Sequence, residues 1–198
     1  MIIGIDAGCL SSNPSLQAGV YHVAKELILG LAKRDIKNTY ILYVFDNLPK
    51  EISRELPLHF IQKKIHRKGF MKFGLPLAFL GKKPDVFLAL SQVMPLYHPF
   101  KTIGFIHGLD FVPEYHTVDN SMSSLEKNTR YLAKHARELI TTSRFLVSQI
   151  KERYKRESIV APLGVASFFT PEGEIFLHTN PYFLFVGSLK PSKNIPTL

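Results

Sequence analysis

Ile2-Ile3-Gly4-Ile5-Asp6, next to the N-terminus, is the segment from which the architecture of this chain can be inferred. Its apolar residues follow one another instead of alternating with polar ones, which is typical of a strand buried on both faces in a parallel sheet. Asp6 ends the run, and the loop Ala7–Leu16 is rich in turn residues. An apolar stripe at three-to-four spacing then predicts a helix over Gln17–Lys33.

The rest of the chain repeats this alternation of apolar runs with helices or long connections. We predict further strands over Thr39–Phe45, Leu58–Ile61, Asp85–Leu90, Thr102–His107, Leu139–Thr142 and Ser158–Ala161. We predict further helices over Ser121–His135 and Arg144–Lys155. This alternation predicts the α/β class, with a Rossmann-like, doubly wound and mostly parallel sheet.

Ligands of such sheets bind in the crevice beyond the carboxyl ends of the strands. The residues predicted to lie there are Asp6 with the loop that follows it, Ser91–Met94, His107–Asp110 and Ser143–Arg144. A functional site is therefore expected among these segments.

The composition excludes several classes of protein. With 198 residues and 45% hydrophobic content the chain can fill a core, which excludes wholesale disorder. A single cysteine, Cys9, and the lack of a Cys/His cluster at zinc-ligand spacing exclude a disulfide-stapled module and a structural zinc site. The apolar runs fall short of the ~20 residues of a membrane-spanning helix. The N-terminal residues lack the pattern of a signal peptide, so a cytoplasmic location is expected.

The charge balance favours an anionic partner. Lysine and arginine number 25 against 16 acidic residues, for a net charge of +9. Phosphates, nucleic acid and acidic lipid surfaces all fit such a charge.

The C-terminal residues predict the start of a second domain. Tyr182–Val186 is an apolar run typical of a strand, and a turn through Gly187–Asn194 follows it. Because an unpaired apolar strand is an aggregation hazard, we expect the chain to be a fragment. The predicted boundaries are 1–172 for the first domain and 173–198 for a linker with the first strand of a second.

Four stretches, in this order, resemble family four of the GT-B glycosyltransferases, the retaining nucleotide-sugar enzymes also called glycosyl transferases group 1. They are Gln17–Tyr21 before an Ala/Leu-rich helix, Ile106–His116, Ile140–Phe145 with Val160–Val165 and Phe169–Pro171, and Phe185–Asn194. The resemblance spans nearly the whole chain.

The resemblance implies a fold and an activity. Two Rossmann-like domains would face a cleft, the N-terminal domain holding the acceptor and the C-terminal domain most of the donor. The expected reaction transfers a sugar, with retention, from a nucleotide sugar to a hydroxyl of a glycan or lipid-linked acceptor. Neither a metal nor a cofactor is expected, nucleic acid is not an expected partner, and the fragment is expected to be inactive alone.

The resemblance also implies roles for donor-side residues. His107 is the expected catalytic residue, which orients the donor sugar, and the loop bearing Gly19 is expected to abut the donor. Lys193 matches the phosphate-binding lysine of the family. Ser188 stands where many relatives have an arginine, and Lys190 is expected to replace part of its charge.

On the acceptor side, the candidates are Asp110, Glu114, Ser143 and Arg144. The two carboxylates could hydrogen-bond acceptor hydroxyls, or they could be ordinary solvated loop residues. Ser143 precedes a predicted helix, where serine is a common N-cap, and Arg144 is a candidate for contact with the diphosphate.

A basic stretch, Lys63–Phe73, has two interpretations. It could be a solvated charged face, or it could dock on an anionic leaflet at the inner face of the cell membrane. In the second case Lys68, Phe70, Lys72 and Phe73 are the membrane-facing candidates.

Two other functions compete with glycosyl transfer. One is a non-catalytic basic module that binds an anionic membrane or nucleic acid, although the sequence has no RNP-type or helix-turn-helix pattern. The other is a dinucleotide oxidoreductase, which needs a G-x-G-x-x-G after the first strand. The residues Gly8–Gly19 do not contain that motif.

Overall fold

The computed structural model describes residues 1–14, 17–109, 111, 120–165, 169–173, 179–187 and 195–197. In this part of the chain the fold is α/β, with one all-parallel sheet. Its strands are β1 (Ile2–Asp6), β2 (Thr39–Val44), β3 (Phe60–Lys64), β4 (Val86–Ala89), β5 (Lys101–Ile106), β6 (Glu138–Thr141) and β7 (Ile159–Val160).

Helices lie in most connections between these strands, although the connection from β4 to β5, residues 90–100, contains none. They are α1 (Gly19–Arg34), α2 (Lys50–Ser53), α3 (Leu75–Gly81), α4 (Asn120–His135) and α5 (Arg144–Tyr154). A π-helix (Phe70–Gly74) leads directly into α3, and a 3-10 turn covers Ile195–Thr197.

The strand order, β3-β2-β1-β4-β5-β6-β7, confirms the Rossmann-like doubly wound prediction. The chain proceeds outward from β1 through β2 to β3, then crosses back to place β4 on the other side of β1. This reversal leaves a crevice at the carboxyl ends of β1 and β4, because the following connections depart in opposite directions.

Strand β2 shows why the apolar runs are continuous. Tyr40, Leu42 and Val44 belong to the core beneath α1 and α2. Ile41 and Tyr43 belong to the second core, on the opposite face. Side chains alternate across a strand, so a sheet covered on both faces needs apolar residues at every position.

Two predicted strands differ from the structure. The prediction Leu58–Ile61 was wrong by a few residues, because β3 runs from Phe60 to Lys64 and pairs with β2 from Tyr40↔Phe60 to Val44↔Lys64. An edge strand can expose polar side chains, so the apolar pattern did not mark it.

Tyr182–Val186 is not a strand in the structure. It pairs with none of the described strands, and Phe183, Leu184 and Val186 are largely exposed. Apolar composition favours a strand only where a neighbouring strand supplies hydrogen-bond partners.

Candidate functional site

A cleft of about 760 Å³ lies beyond the carboxyl ends of β1 and β4, at the reversal of strand order. Its charged lining residues are Asp6, Asp46, Arg67 and Lys72, and its polar ones include Ser11, Tyr21 and Ser91. The prediction that Asp6 and Ser91 share one crevice is therefore confirmed.

Asp6 forms the buried floor of this cleft. Its side chain is 1% exposed, and Oδ1 accepts a hydrogen bond of 3.2 Å from the Gly8 N–H. Oδ2 is also buried and has no hydrogen-bond partner among the described residues. Burial raises the pKa of Asp6, and interactions with Ser91 and the Gly8 N–H partly offset this. The carboxyl thus fixes the turn that leads from β1 toward α1.

Cys9 lies beside Asp6 but is not an activated nucleophile. Burial raises the pKa of its thiol to about 12, and the negative charge of Asp6 acts in the same direction. The reactive form of cysteine is the thiolate, which this environment disfavours.

The N-terminus of α1 forms one wall of the cleft. Gly19 is the first residue of this 16-residue helix, and no side chain caps it at Ala18. A Cβ on Gly19 would meet no atom within 4 Å, so the glycine is not required by packing within the described residues. Helix N-termini attract anions through their unpaired N–H groups and dipole. Ala18, Val20 and Tyr21 line the cleft, whereas Gly19 is exposed and is not among the lining residues.

Two cations of the basic stretch, Arg67 and Lys72, also line the cleft. The Arg67 guanidinium lies over the Phe45 ring, 5.6 Å from its centroid. Lys72 belongs to the π-helix that begins after Gly69, whose φ of +75° is in the left-handed region. Glycine adopts this conformation without strain, which allows the chain to turn there and bring Lys72 to the cleft.

His107 lies one strand away, directly after β5, and is not among the residues that line the cleft. Its Nε2 is 2.7 Å from the Leu90 carbonyl oxygen. A carbonyl can only accept, so Nε2 carries the proton and donates it, and Nδ1 is the acceptor in the neutral ring. This bond fixes both the tautomer and the orientation of the half-buried ring.

Gln92 joins β4, β5 and α4, and sequence reasoning did not single it out. Its Nε2 donates to the Gly108 carbonyl oxygen at 3.0 Å and to Thr129 Oγ1 at 2.8 Å. Its Oε1 accepts from the His107 N–H at 3.0 Å. Gln92 is 5% exposed and has a φ of +59°, rare for a residue with a Cβ. This side chain holds the backbone of His107 in place.

Ser143 is the N-cap of α5, because its Oγ accepts a hydrogen bond of 3.2 Å from the Leu146 N–H. This agrees with the capping interpretation of Ser143. Neither Ser143 nor the exposed Arg144 lines the cleft.

The remaining candidates fall into two groups. Asp110, Glu114, Ser188, Lys190 and Lys193 lie outside the described residues. Of the membrane-facing candidates, Lys68, Lys72 and Phe73 are exposed, but Phe70 is only 5% exposed. Its ring packs edge-on against Phe45 at 4.6 Å, so the prediction that Phe70 faces a membrane was wrong.

No protein-family model and no curated protein matches the chain. Across the described ranges, no helix combines the length and apolar character needed to cross a membrane. The same ranges contain no cluster of three or more His, Cys, Asp or Glu side chains that could hold a metal ion.

Proposed function

We propose that the chain is the acceptor-side domain of a retaining glycosyltransferase, which moves a sugar from a nucleotide-sugar donor to a hydroxyl of a glycan or lipid-linked acceptor. One observation carries the proposal. The cleft at the strand-order reversal is lined both by residues at the uncapped N-terminus of α1 and by the cations Arg67 and Lys72.

This arrangement suits a diphosphate leaving group. In the transfer, the bond between the anomeric carbon and the diphosphate oxygen breaks, and the diphosphate keeps the electron pair. The acceptor oxygen bonds to the same face of that carbon, and its proton passes to the departing diphosphate. N–H groups of a helix N-terminus and cationic side chains stabilise the negative charge that develops.

Gly19 supports the proposal through the space it leaves. A phosphate that binds the first turn of α1 must approach its main chain closely, and no atom of the described residues lies within 4 Å of the position of the missing Cβ. Substituting alanine would place a methyl group there.

In the proposed reaction, His107 orients the donor sugar. With Nε2–H committed to the Leu90 carbonyl oxygen, Nδ1 is the ring atom left to accept a hydrogen bond from a sugar hydroxyl. Gln92 supports this ring by binding the His107 N–H, and is therefore a positioning residue.

The first test measures affinities by ligand-observed NMR, using uridine, guanosine and adenosine diphosphate sugars as probes. Gly19→Ala should weaken binding roughly tenfold, the loss expected for one charge-assisted phosphate hydrogen bond. Gly30→Ala is the matched control, because Gly30 is also in α1 and its Cβ would also meet no atom within 4 Å. Equal effects of the two variants would contradict the proposed diphosphate position.

The second test separates the sugar from the nucleotide. His107→Ala should weaken binding of a nucleotide sugar while leaving the affinity for the plain nucleoside diphosphate unchanged. His22→Ala, in an exposed position of α1, is the control. Binding of NAD in preference to every nucleotide sugar would favour a dinucleotide oxidoreductase and refute the proposal.

A further inference from the structure

Three large apolar side chains project into solvent from the π-helix and α3. Phe73 is 68% exposed, Leu77 66% and Leu80 72%. Their spacing of four and then three residues places them along one side of a helix. The other side is buried in the core through Phe70, Leu75, Ala78 and Phe79. We call the exposed set, Phe73, Leu77 and Leu80, the apolar ridge.

Exposed lysines border this ridge at both ends. Lys68 and Lys72 come before Phe73 along the chain, and Lys82 and Lys83 come after Leu80. The charge is not balanced locally, because the chain contains no acidic residue between Glu55 and Asp85. An apolar centre with a cationic border is the pattern of a surface that lies in the interfacial plane of an anionic membrane.

The ridge is attached to a rigid base. The Gly69 carbonyl oxygen accepts hydrogen bonds from the N–H groups of Lys72, Phe73 and Gly74. Lys63, on β3, donates from Nζ to the Ala78 carbonyl oxygen at 2.9 Å. The apolar side chains are therefore presented by a fixed backbone, and little conformational entropy is lost when they insert.

We propose that the apolar ridge docks this protein on an anionic phospholipid bilayer. Phe73, Leu77 and Leu80 enter the boundary between headgroups and acyl chains, and the bordering lysines contact lipid phosphates. A second copy of the chain is disfavoured as the partner of the ridge, because two ridges packed face to face would place two sets of positively charged lysines against each other. Charge also fits the bilayer, whose surface is negative.

The docked orientation has a consequence for the cleft. Lys72 belongs both to the lysine border of the ridge and to the lining of the cleft. Docking through the ridge therefore brings the cleft close to the headgroup plane. If the proposed function holds, the acceptor is a hydroxyl carried by a lipid-linked molecule at that surface.

The test is sedimentation of the whole chain with vesicles, without any nucleotide sugar. Binding to vesicles of phosphatidylcholine and phosphatidylglycerol is expected, with little binding to pure phosphatidylcholine. Phe73→Ser and the double variant Leu77→Ser/Leu80→Ser should each weaken binding at least about tenfold. Lys68→Gln and Lys82→Gln should each weaken it roughly fivefold. Leu58→Ser is the control, because Leu58 is fully exposed, at 101%, away from the ridge.

Each other outcome overturns the docking proposal. One such outcome is equal binding to neutral and anionic vesicles, and another is ridge variants that bind vesicles like wild type. The others are a concentration-dependent dimer, or retention on DNA, that is lost in the ridge variants alone. Thermal melts verify that the variants fold, as expected for exposed positions. Because no nucleotide is present, failure here leaves the glycosyltransferase proposal to its own binding tests.

Discussion

Gln92 offers a test in which a glycine variant should be more stable than an alanine variant, the reverse of their usual order in stability. Replacing it with alanine removes three hydrogen bonds, to Gly108, Thr129 and His107, at a position that is 5% exposed. Net contributions of about 1 kcal/mol for each bond, and the buried groups left unpaired, predict a loss of about 2–4 kcal/mol in the free energy of unfolding.

Glycine at the same position loses the same hydrogen bonds but is free of the backbone strain that alanine retains. The φ of +59° lies in the left-handed region, which disfavours any residue with a Cβ by roughly 1–2 kcal/mol. The greater flexibility of glycine in the unfolded chain offsets part of this. Gln92→Gly should therefore be more stable than Gln92→Ala, by up to about 1 kcal/mol.

Urea unfolding monitored by circular dichroism measures these differences. The control pair is Glu152→Gly and Glu152→Ala in the exposed part of α5, where alanine should be the more stable by about 1 kcal/mol. The reasoning is refuted if Gln92→Ala costs less than about 0.5 kcal/mol. It is equally refuted if glycine is the less stable residue at position 92.

Three further substitutions test individual contacts. Asp6→Asn keeps an acceptor for the Gly8 N–H and removes a buried ionisable group. Since burial raises the folded-state pKa of Asp6 above 3.8, the wild type loses stability as pH rises through that pKa. The variant should therefore be the more stable at neutral pH, and equal stability would contradict this. Its advantage should vanish on acidification below about pH 4, where the carboxyl is protonated in both states, as urea unfolding across a pH series can show. Ser143→Ala removes the N-cap of α5 and should cost about 1 kcal/mol in thermal unfolding, whereas an unchanged Tm would show that the bond to Leu146 contributes nothing. Gly104→Ala would bring a Cβ within 2.7 Å of Leu132 in the core and should cost about 1–3 kcal/mol by urea unfolding, and a neutral result would mean that the side chain yields freely.

Much of the fold follows from local sequence because both faces of the sheet are covered. Continuous apolar runs therefore identify β1 and β2. The alternation of strands and helices then places Asp6 and Ser91 at one edge of the sheet, as the structure confirms. The N-cap role of Ser143 was equally accessible, because it depends on the neighbouring residues alone.

The errors of prediction have a common physical origin in long-range contacts. Phe70 lies in a basic stretch, and its burial depends on core contacts such as the one with Phe45. The hydrogen bonds of Gln92 join residues that are distant in sequence, and its positive φ leaves no trace in residue type. Tyr182–Val186 has the composition of a strand but no described strand as a neighbour.

The position of the bound diphosphate is the central claim, and amide-shift mapping on the ¹⁵N-labelled chain tests it directly. The amides of residues 18–21 and 91–93 are expected to shift on titration with either a nucleotide sugar or the plain nucleoside diphosphate. The amide of His107 is expected to shift only with the nucleotide sugar. Shifts confined to other parts of the sheet, or no shift at any concentration of any nucleotide sugar, would contradict it.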